Sequence, residues 1–257
     1  MARAFRDGQG ANVEIQTESV SLNVSDGTAM RAWVARPKAA GAHPGLLVFH
    51  EAFGVNAHIR DVTERFAREG CLAVAPEFFH RTGAGLEFRY DDFASAIPHI
   101  RALNDANMEA DQRAAYDWLK ANGAGELPIS AVGYCMGGRA AFLAALRLPL
   151  ARAISYYGGG IAPSATNTGL LSRVSELRAP MLLFWGGRDR HITTDMVRAV
   201  TDALRAAGKS FVNVEISDGD HGFFCDARSS YSAAAAALAW PLTLAFLGAQ
   251  EARARTD

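Results

Sequence analysis

A cysteine lies between closely spaced glycines near the middle of the sequence, in the run GYCMGG of residues 133–138. The residues before it, 129–134, form an apolar run typical of a buried strand, and residues 136–147 are rich in alanine and leucine and favour a helix. A strand that turns sharply into a helix through small residues is a nucleophile elbow, which presents one side chain at the carboxyl end of a sheet. The positive end of the helix favours a thiolate there. The pattern therefore predicts a nucleophilic Cys135, with the backbone N–H of Met136 facing a developing oxyanion.

Short apolar or β-branched runs alternate with longer helical stretches along the whole chain, which predicts an α/β fold with a mostly parallel sheet and helices on both faces. Two opening strands, at 13–17 and 30–36, are expected to pair antiparallel at a sheet edge. The further predicted strands are at 45–50, 72–75, 129–134, 151–157, 181–185 and 211–216, and the predicted helices at 56–69, 94–122, 136–147, 194–207 and 231–247. Because no segment looks like a linker or a repeat, we expect a single domain over residues 1–257, with a core at about 13–248 and short tails.

Composition excludes several classes of partner. The 26 basic and 27 acidic residues leave a net charge of −1 without long blocks of one sign, so neither nucleic acid nor a membrane surface is an expected partner. No run is apolar enough for a membrane span, and the opening residues lack the core of a signal peptide, which favours a cytoplasmic location. The three cysteines lack CxxC spacing and no histidine has metal-ligand spacing to a partner, so neither a metal nor a cofactor is expected.

A thiol nucleophile needs a base, and the base needs a group that orients it. The strand at 181–185 runs into GGRD, which places Asp189 in a turn at the same edge of the sheet as Cys135. The strand at 211–216 leads to His221 just before the last helix. The chain order of nucleophile, acid and histidine is that of the α/β-hydrolases, so we predict Cys135, Asp189 and His221 as a catalytic triad.

The run HEAFGVN of residues 50–56 follows a central strand directly. The loop after that strand supplies the second oxyanion donor in such folds, so the N–H of Ala52 is the candidate. A carboxylate at Glu51 would repel a thiolate unless it accepts the thiol proton. The alternative is that Glu51 is a structural carboxylate hydrogen-bonded to the elbow.

With these motifs in place, the chain closely resembles the dienelactone hydrolases (carboxymethylenebutenolidases) from about Val13 to Leu247. The motifs that carry the resemblance are HEAFGVN at 50–56, GYCMGG at 133–138, YYG at 156–158, GGRD at 186–189 and GDHGF at 219–223. The resemblance implies an α/β-hydrolase fold and a Cys-His-Asp triad that opens lactones or esters through a thioester acyl-enzyme. It also implies that the resting thiol is largely neutral and that substrate binding shifts Glu51, which then takes the thiol proton, while His221 receives or returns protons during turnover.

The resemblance further implies that arginine binds a substrate carboxylate, and Arg81 sits where one such arginine is expected. Four positions after the histidine, where the best-studied pattern has a second arginine, this chain has Cys225; whether Arg228, three residues further on, points inward is left open. Aromatic residues at strand ends could wall the pocket, although such residues are more often plain core. The candidate substrate-binding residues are Arg81, Phe53, Tyr156, Trp185 and Phe223.

Three functions follow as hypotheses. The first is hydrolysis of a small lactone or ester, dienelactone-like and bearing a carboxylate. The second is a broad carboxylesterase or thioesterase-like activity on neutral esters. The third is a non-catalytic ligand-binding or redox-sensing α/β protein, whose thiol would react with oxidants without forming an acyl adduct. The oligomeric state, monomer or homodimer, is left open.

Overall fold

The computed structural model describes residues 13–165 and 167–253. Eight strands form one sheet in the order β1-β2-β4-β3-β5-β6-β7-β8. The strands are β1 Ile15–Asn23, β2 Ala29–Pro37, β3 Gly45–Phe49, β4 Leu72–Pro76, β5 Ile129–Tyr134, β6 Ala153–Tyr156, β7 Met181–Gly186 and β8 Phe211–Ile216. The α-helices are α1 Ala57–Arg68, α2 Phe93–Ala102, α3 Asp105–Leu119, α4 Met136–Arg147, α5 Thr194–Ala206 and α6 Ala233–Arg253.

The sheet is mostly parallel, as predicted. β1 pairs antiparallel with β2, and β2 pairs antiparallel with β4, which confirms the expected opening pair at one edge. All other neighbours in the sheet are parallel. The central strands β3, β4 and β5 are buried at every position, which explains why their sequences are continuous apolar runs and do not alternate.

The connections of two neighbouring central strands diverge. From β3 the chain passes through α1 to β4 on one side, whereas from β5 it passes through α4 to β6 on the other. Because such crossovers are right-handed, α1 and α4 lie on opposite faces of the sheet. The crevice between the carboxyl ends of β3 and β5 is therefore a topological switch point, where open α/β sheets bind ligands. Residues 50–56 and Cys135 follow these two strand ends directly.

The helical region predicted at 94–122 is broken in two. Leu103 has extended dihedral angles (φ −73°, ψ 143°), and Asn104 begins the second helix as its N-cap, accepting a hydrogen bond from the N–H of Asn107 at 2.9 Å. An asparagine side chain at this position satisfies a first-turn N–H that has no partner within the helix. Pro98 lies inside α2 and does not cause the break.

All eight strands share one sheet, which favours the interpretation as a single domain. The predicted tails at 1–12 and 254–257 lie outside the described residues. Among the described helices, none combines the length and the apolar character that crossing a bilayer requires.

Candidate active site

Cys135 lies in a strained turn between β5 and α4. Its φ of 55° and ψ of −118° are rarely adopted by residues other than glycine. The N–H of Cys135 donates to the carbonyl of Tyr156 at 3.0 Å, and its own carbonyl accepts from the N–H of Gly138 at 2.9 Å. The side chain is only partly buried. Strain that the surrounding hydrogen bonds enforce at an accessible thiol is typical of a functional position.

The glycines of the elbow are required by close packing. A Cβ on Gly133 would lie 1.8 Å from the carbonyl oxygen of Gly137, and a Cβ on Gly137 would lie 2.1 Å from that of Phe49. No side chain fits at either position, because the end of β3, the end of β5 and the first turn of α4 are in direct backbone contact. This contact brings the loop after β3 next to the thiol. Met136, the first residue of α4, has an N–H without a partner in the helix, as the prediction of an oxyanion donor requires.

His221 joins Cys135 to Asp189. Its Nδ1 donates to Oδ2 of Asp189 at 2.7 Å, and the ring also forms a hydrogen bond with the sulfur of Cys135. The other carboxylate oxygen of Asp189 accepts from the N–H groups of His191 and Ile192 at 2.7 and 3.1 Å. Burial opposes the charge of Asp189, yet these hydrogen bonds and the charge of His221 lower its pKa. The carboxylate therefore stays ionised and fixes the orientation of the imidazole.

The pKa of His221 is raised from its usual 6.5 to about 10. Burial alone would lower it, but negative charge on Cys135, the hydrogen bonds to Asp189 and Cys135, and the charge of Asp189 together outweigh burial. When the sulfur is ionised, the imidazole therefore keeps its proton. A protonated imidazole next to a thiol is suited to protonate a leaving group.

Glu51 is completely buried after the end of β3. Its Oε1 accepts a hydrogen bond from Nη1 of Arg228 at 3.0 Å, while Oε2 has no hydrogen-bond partner among the described residues. The guanidinium also lies 5.7 Å from the ring of Phe53 and 5.9 Å from that of Tyr90. A buried carboxylate oxygen without a partner costs about 1–3 kcal/mol or more. Glu51 is thus held by one cation only and has an oxygen free to accept a proton.

His50 fixes the backbone of the loop that carries Glu51. Its Nδ1 lies 2.6 Å from the carbonyl oxygen of Glu51, and its Nε2 accepts from the N–H of Phe78 at 3.2 Å. Burial lowers the pKa of His50 to about 4, so the ring is neutral and donates from Nδ1. Ala52, buried in the same loop, is placed after the strand that neighbours β5, and its role as the second oxyanion donor stays a prediction.

A cavity of about 660 Å³ opens next to these groups. Its lining includes His221 and Arg228 together with Arg89, Tyr90, His191 and Asp220. Small-molecule sites occupy about 300–1,000 Å³. The cavity therefore has room for a small substrate in contact with both the imidazole and the guanidinium.

The structure does not bring Arg81 to this cavity. Its guanidinium is bidentate with the buried carboxylate of Asp111, at 2.8 and 2.9 Å, and its Nε donates to Asp26 at 2.7 Å. Two carboxylates already occupy its donors, so these contacts do not support the prediction that Arg81 binds substrate. Of the two arginines that the sequence offered, Arg228 is the one that lines the cavity.

Three of the four predicted aromatic residues are core residues. Tyr156 points to α6, where its hydroxyl lies 2.6 Å from Oγ1 of Thr243; Trp185 donates to Asn213 of β8 at 2.7 Å; and Phe223 is fully buried. Only Phe53 packs beside Arg228. The prediction of a pocket role for Tyr156, Trp185 and Phe223 is therefore not supported.

Sequence reasoning missed two residues next to the site. Tyr157 directly follows Tyr156, the residue that was predicted to line the pocket. Its ring contacts the imidazole of His221 with a centroid distance of 5.2 Å, and its φ of 38° is positive, like that of Cys135. Alternation along β6 could have indicated Tyr157, because neighbouring residues point in opposite directions. Tyr90 comes from an irregular segment without periodicity, and no signal in the sequence marks it.

Comparisons with known proteins show the family to which the chain belongs. The profile of the Dienelactone hydrolase family matches residues 30–250. The chain is 35% identical over 221 residues to a "Putative carboxymethylenebutenolidase" of Salmonella typhimurium, covering 84% of this chain and 81% of that protein. It is 30% identical over 234 residues to the carboxymethylenebutenolidase of Pseudomonas putida, covering 90% and 96%. Among solved structures, a "Putative Dienelactone Hydrolase" from Klebsiella pneumoniae superposes with a TM-score of 0.82 at 32% identity, covering 90% of this chain and 98% of that one. The chain therefore belongs to the dienelactone hydrolase family, has the α/β-hydrolase fold and is a carboxylic ester hydrolase.

Proposed function

We propose that the protein opens a small lactone or ester that bears a carboxylate, through a thioester formed on Cys135. The observation that carries this proposal is the contact between Arg228 and Glu51 beside the triad. It joins a cation that lines the cavity to a buried carboxylate whose second oxygen has no partner in the part of the chain that the structure describes. Binding of an anionic substrate and activation of the thiol can therefore be coupled through one side chain.

Arg228 is the group that recognises the substrate. A substrate carboxylate offers the guanidinium a bidentate partner, which is stronger than its single hydrogen bond to Glu51. When Arg228 turns to the substrate, Glu51 is left buried without its cation. Burial disfavours the charged form of a carboxylate, so Glu51 then accepts the proton of the Cys135 thiol.

The reaction proceeds in two balanced halves. The thiolate attacks the carbonyl carbon and the C–S bond forms, with the N–H groups of Met136 and Ala52 as donors to the oxyanion. The C–O bond of the lactone breaks, and the leaving oxygen takes a proton from the imidazolium of His221. Water then attacks the thioester and gives one proton back to His221. The sulfur leaves as a thiolate and recovers its proton from Glu51, so that one water is consumed for each bond opened.

Intact-protein mass spectrometry tests this proposal. Mixing the protein with a carboxylate-bearing lactone should give a transient adduct of the mass of the lactone, which digestion locates at Cys135. C135A should give neither adduct nor turnover while keeping the circular dichroism of the folded protein. H221Q should lose turnover, because both protonation of the leaving oxygen and activation of water need the imidazole; an adduct that forms slowly in this variant should persist, since Glu51 still activates the thiol while deacylation lacks its base. Turnover by C135A, or an adduct at Cys71 or Cys225, would contradict the proposal.

The competing hypothesis, a broad esterase for neutral esters, is tested with the same protein. Under our proposal, kcat/KM is higher for the carboxylate-bearing lactone than for p-nitrophenyl esters of similar size. The reverse order would favour the broad esterase and leave the thioester mechanism in place.

A further inference from the structure

A second buried cluster lies beside the triad, and the proposed reaction uses only one of its members. It consists of Glu51 in the loop after β3, His58 in α1, and Cys225 in the segment between β8 and α6. A carboxylate oxygen, a ring nitrogen and a sulfur, one from each residue, lie within 4.8 Å of one another. The three residues are at most 5% exposed.

Two polar atoms of this cluster are unpartnered. Oε2 of Glu51 and Nε2 of His58 are buried and have no hydrogen-bond partner among the described residues. Each buried acceptor without a partner costs about 1–3 kcal/mol. Both atoms belong to residues that converge with the sulfur of Cys225 on one point, so a species that accepts lone pairs would satisfy them together.

Both His58 and Cys225 have hydrogen-bond partners outside the cluster. Nδ1 of His58 lies 3.3 Å from Oδ1 of Asp226, which places the ring proton on Nδ1 and leaves the lone pair on Nε2. A carboxylate on the far nitrogen of a histidine is the usual second shell of a metal ligand. The hydroxyl of Tyr90 is hydrogen-bonded to the sulfur of Cys225 and accepts from Asn56 at 3.0 Å.

We propose that Glu51, His58 and Cys225 bind one Zn²⁺ ion. Sulfur, imidazole nitrogen and carboxylate oxygen are the zinc ligands of proteins, at about 2.0–2.3 Å, and three of them leave a fourth position open. Thiolate and imidazole ligands disfavour Mg²⁺ and Ca²⁺. Cys225 loses its proton on binding, and its thiolate and Glu51 then face the charges of the ion and of Arg228, which is bonded to Oε1 of Glu51. Small rotations of the three side chains close the ligands around it.

Occupation of this site has a consequence that rests on the proposed function. Zn²⁺ on Glu51 removes the base that takes the proton of Cys135, so the metal is a reversible inhibitor. Binding of the metal itself does not depend on the reaction. The two inferences can therefore be tested separately.

The binding test uses Co²⁺ as a spectroscopic probe in C135A, so that the catalytic thiol cannot contribute. We expect one Co²⁺ for each chain, with a thiolate-to-metal charge-transfer band that Zn²⁺ displaces. Adding C225A should abolish the band, and adding H58Q should weaken binding about 100-fold or more, since even outer-shell changes cost about 10–100-fold. H191Q, which removes an exposed imidazole of the cavity, is the matched control and should bind normally.

Two results would overturn the site: no saturable band in C135A, or a band that persists when Cys225 is replaced. Because H58Q and C225A remove different ligands, a folding defect in one variant leaves the other as a test. In the enzyme with Cys135 intact, Zn²⁺ should inhibit turnover, EDTA should restore it, and C225A should be insensitive. Binding without inhibition would support the metal site and contradict the role of Glu51 as the base.

Discussion

Arg228 is a single side chain on which both substrate binding and thiol activation depend in the proposed mechanism. R228Q should raise KM for a carboxylate-bearing lactone about 10–100-fold, because a charge-assisted hydrogen bond contributes about 1.5–3 kcal/mol. Turnover of a neutral ester should be retained, because such an ester offers the guanidinium no carboxylate, and in R228Q Glu51 lacks its cation from the start and is free to take the proton of Cys135. Steady-state kinetics with both substrates measures the difference.

R89Q is the control for this experiment. Arg89 lines the same cavity but is exposed and paired with Asp91 at 2.6 Å, so its loss changes the general charge of the cavity without touching Glu51. Equal effects of R89Q and R228Q on the lactone would show that Arg228 is not the specific carboxylate-binding group.

His221 makes the stability of the fold depend on pH. The pKa of His221 in the folded protein lies above the usual 6.5 because of Asp189 and reaches about 10 when the sulfur of Cys135 is ionised, so its contribution is fully present below about pH 6.5 and is lost as the pH rises through the folded-state pKa. The difference in unfolding free energy between the wild type and H221Q should therefore shrink steadily over that interval in urea titrations. H191Q, which removes a neighbouring imidazole whose ring lies 5.4 Å from that of His221, controls for a general change at the cavity surface. A difference that grows with pH would contradict the assignment of charge.

At the scale of elements, close packing and helix propensity favour different residues at position 137 of the elbow. Alanine is a better helix former than glycine by about 1 kcal/mol, so propensity alone predicts that G137A stabilises α4. The added Cβ would lie 2.1 Å from the carbonyl oxygen of Phe49, however, and overpacking against backbone costs about 3 kcal/mol or more. We expect G137A to lower the urea midpoint strongly and to abolish activity.

The matched control is G159A, where an added Cβ meets no atom within 4 Å. It should change the unfolding free energy by less than about 1 kcal/mol. If G137A were as stable as G159A, the contact between β3 and α4 would not be required for the fold.

Several strands could be predicted closely from the sequence, both central and buried ones such as β5 and the partly exposed edge strand β8. The strands predicted at 129–134 and 211–216 are found at those residues, and the strand predicted at 45–50 ends one residue earlier. The break between α2 and α3 was missed because Asn104 is one polar residue among many in that region, and only its side-chain hydrogen bond distinguishes it as a cap. Helix propensities do not show which of several polar residues forms the N-cap of a helix.

Within the candidate site, residues next to motifs were predicted and residues fixed by distant contacts were not. Cys135, Asp189 and His221 each follow a strand end, so the carboxyl edge of the sheet brings them together. The cluster of Glu51, His58 and Cys225 escaped a search by spacing because its members come from three separate parts of the chain. Arg81 was favoured on resemblance, whereas its partners Asp26 and Asp111 could not be read from the sequence.

At the scale of the whole molecule, Arg81 joins three parts of the fold. It connects the loop after β4 to the β1–β2 turn at Asp26 and to α3 at the buried Asp111. R81Q should lower the unfolding free energy by about 3 kcal/mol, because it leaves a buried carboxylate without its cation. KM for the lactone should not change, which urea unfolding and kinetics on the same sample can establish.

R113Q is the matched control for R81Q, because Arg113 lies on α3, the helix that carries Asp111. Arg113 forms an exposed pair with Asp117 at 3.8 Å, and such pairs contribute about 0–1 kcal/mol. A loss of stability in R113Q equal to that in R81Q, or a raised KM in R81Q alone, would contradict the structural role assigned to Arg81.

Glu51 and Arg228 touch although 177 positions separate them in the sequence. During synthesis the reactive cysteine therefore leaves the ribosome long before the imidazole and the guanidinium that complete its surroundings. Under the proposed mechanism, a nascent chain cannot bind a substrate carboxylate and activate its thiol until the segment around residue 228 folds back against the loop after β3.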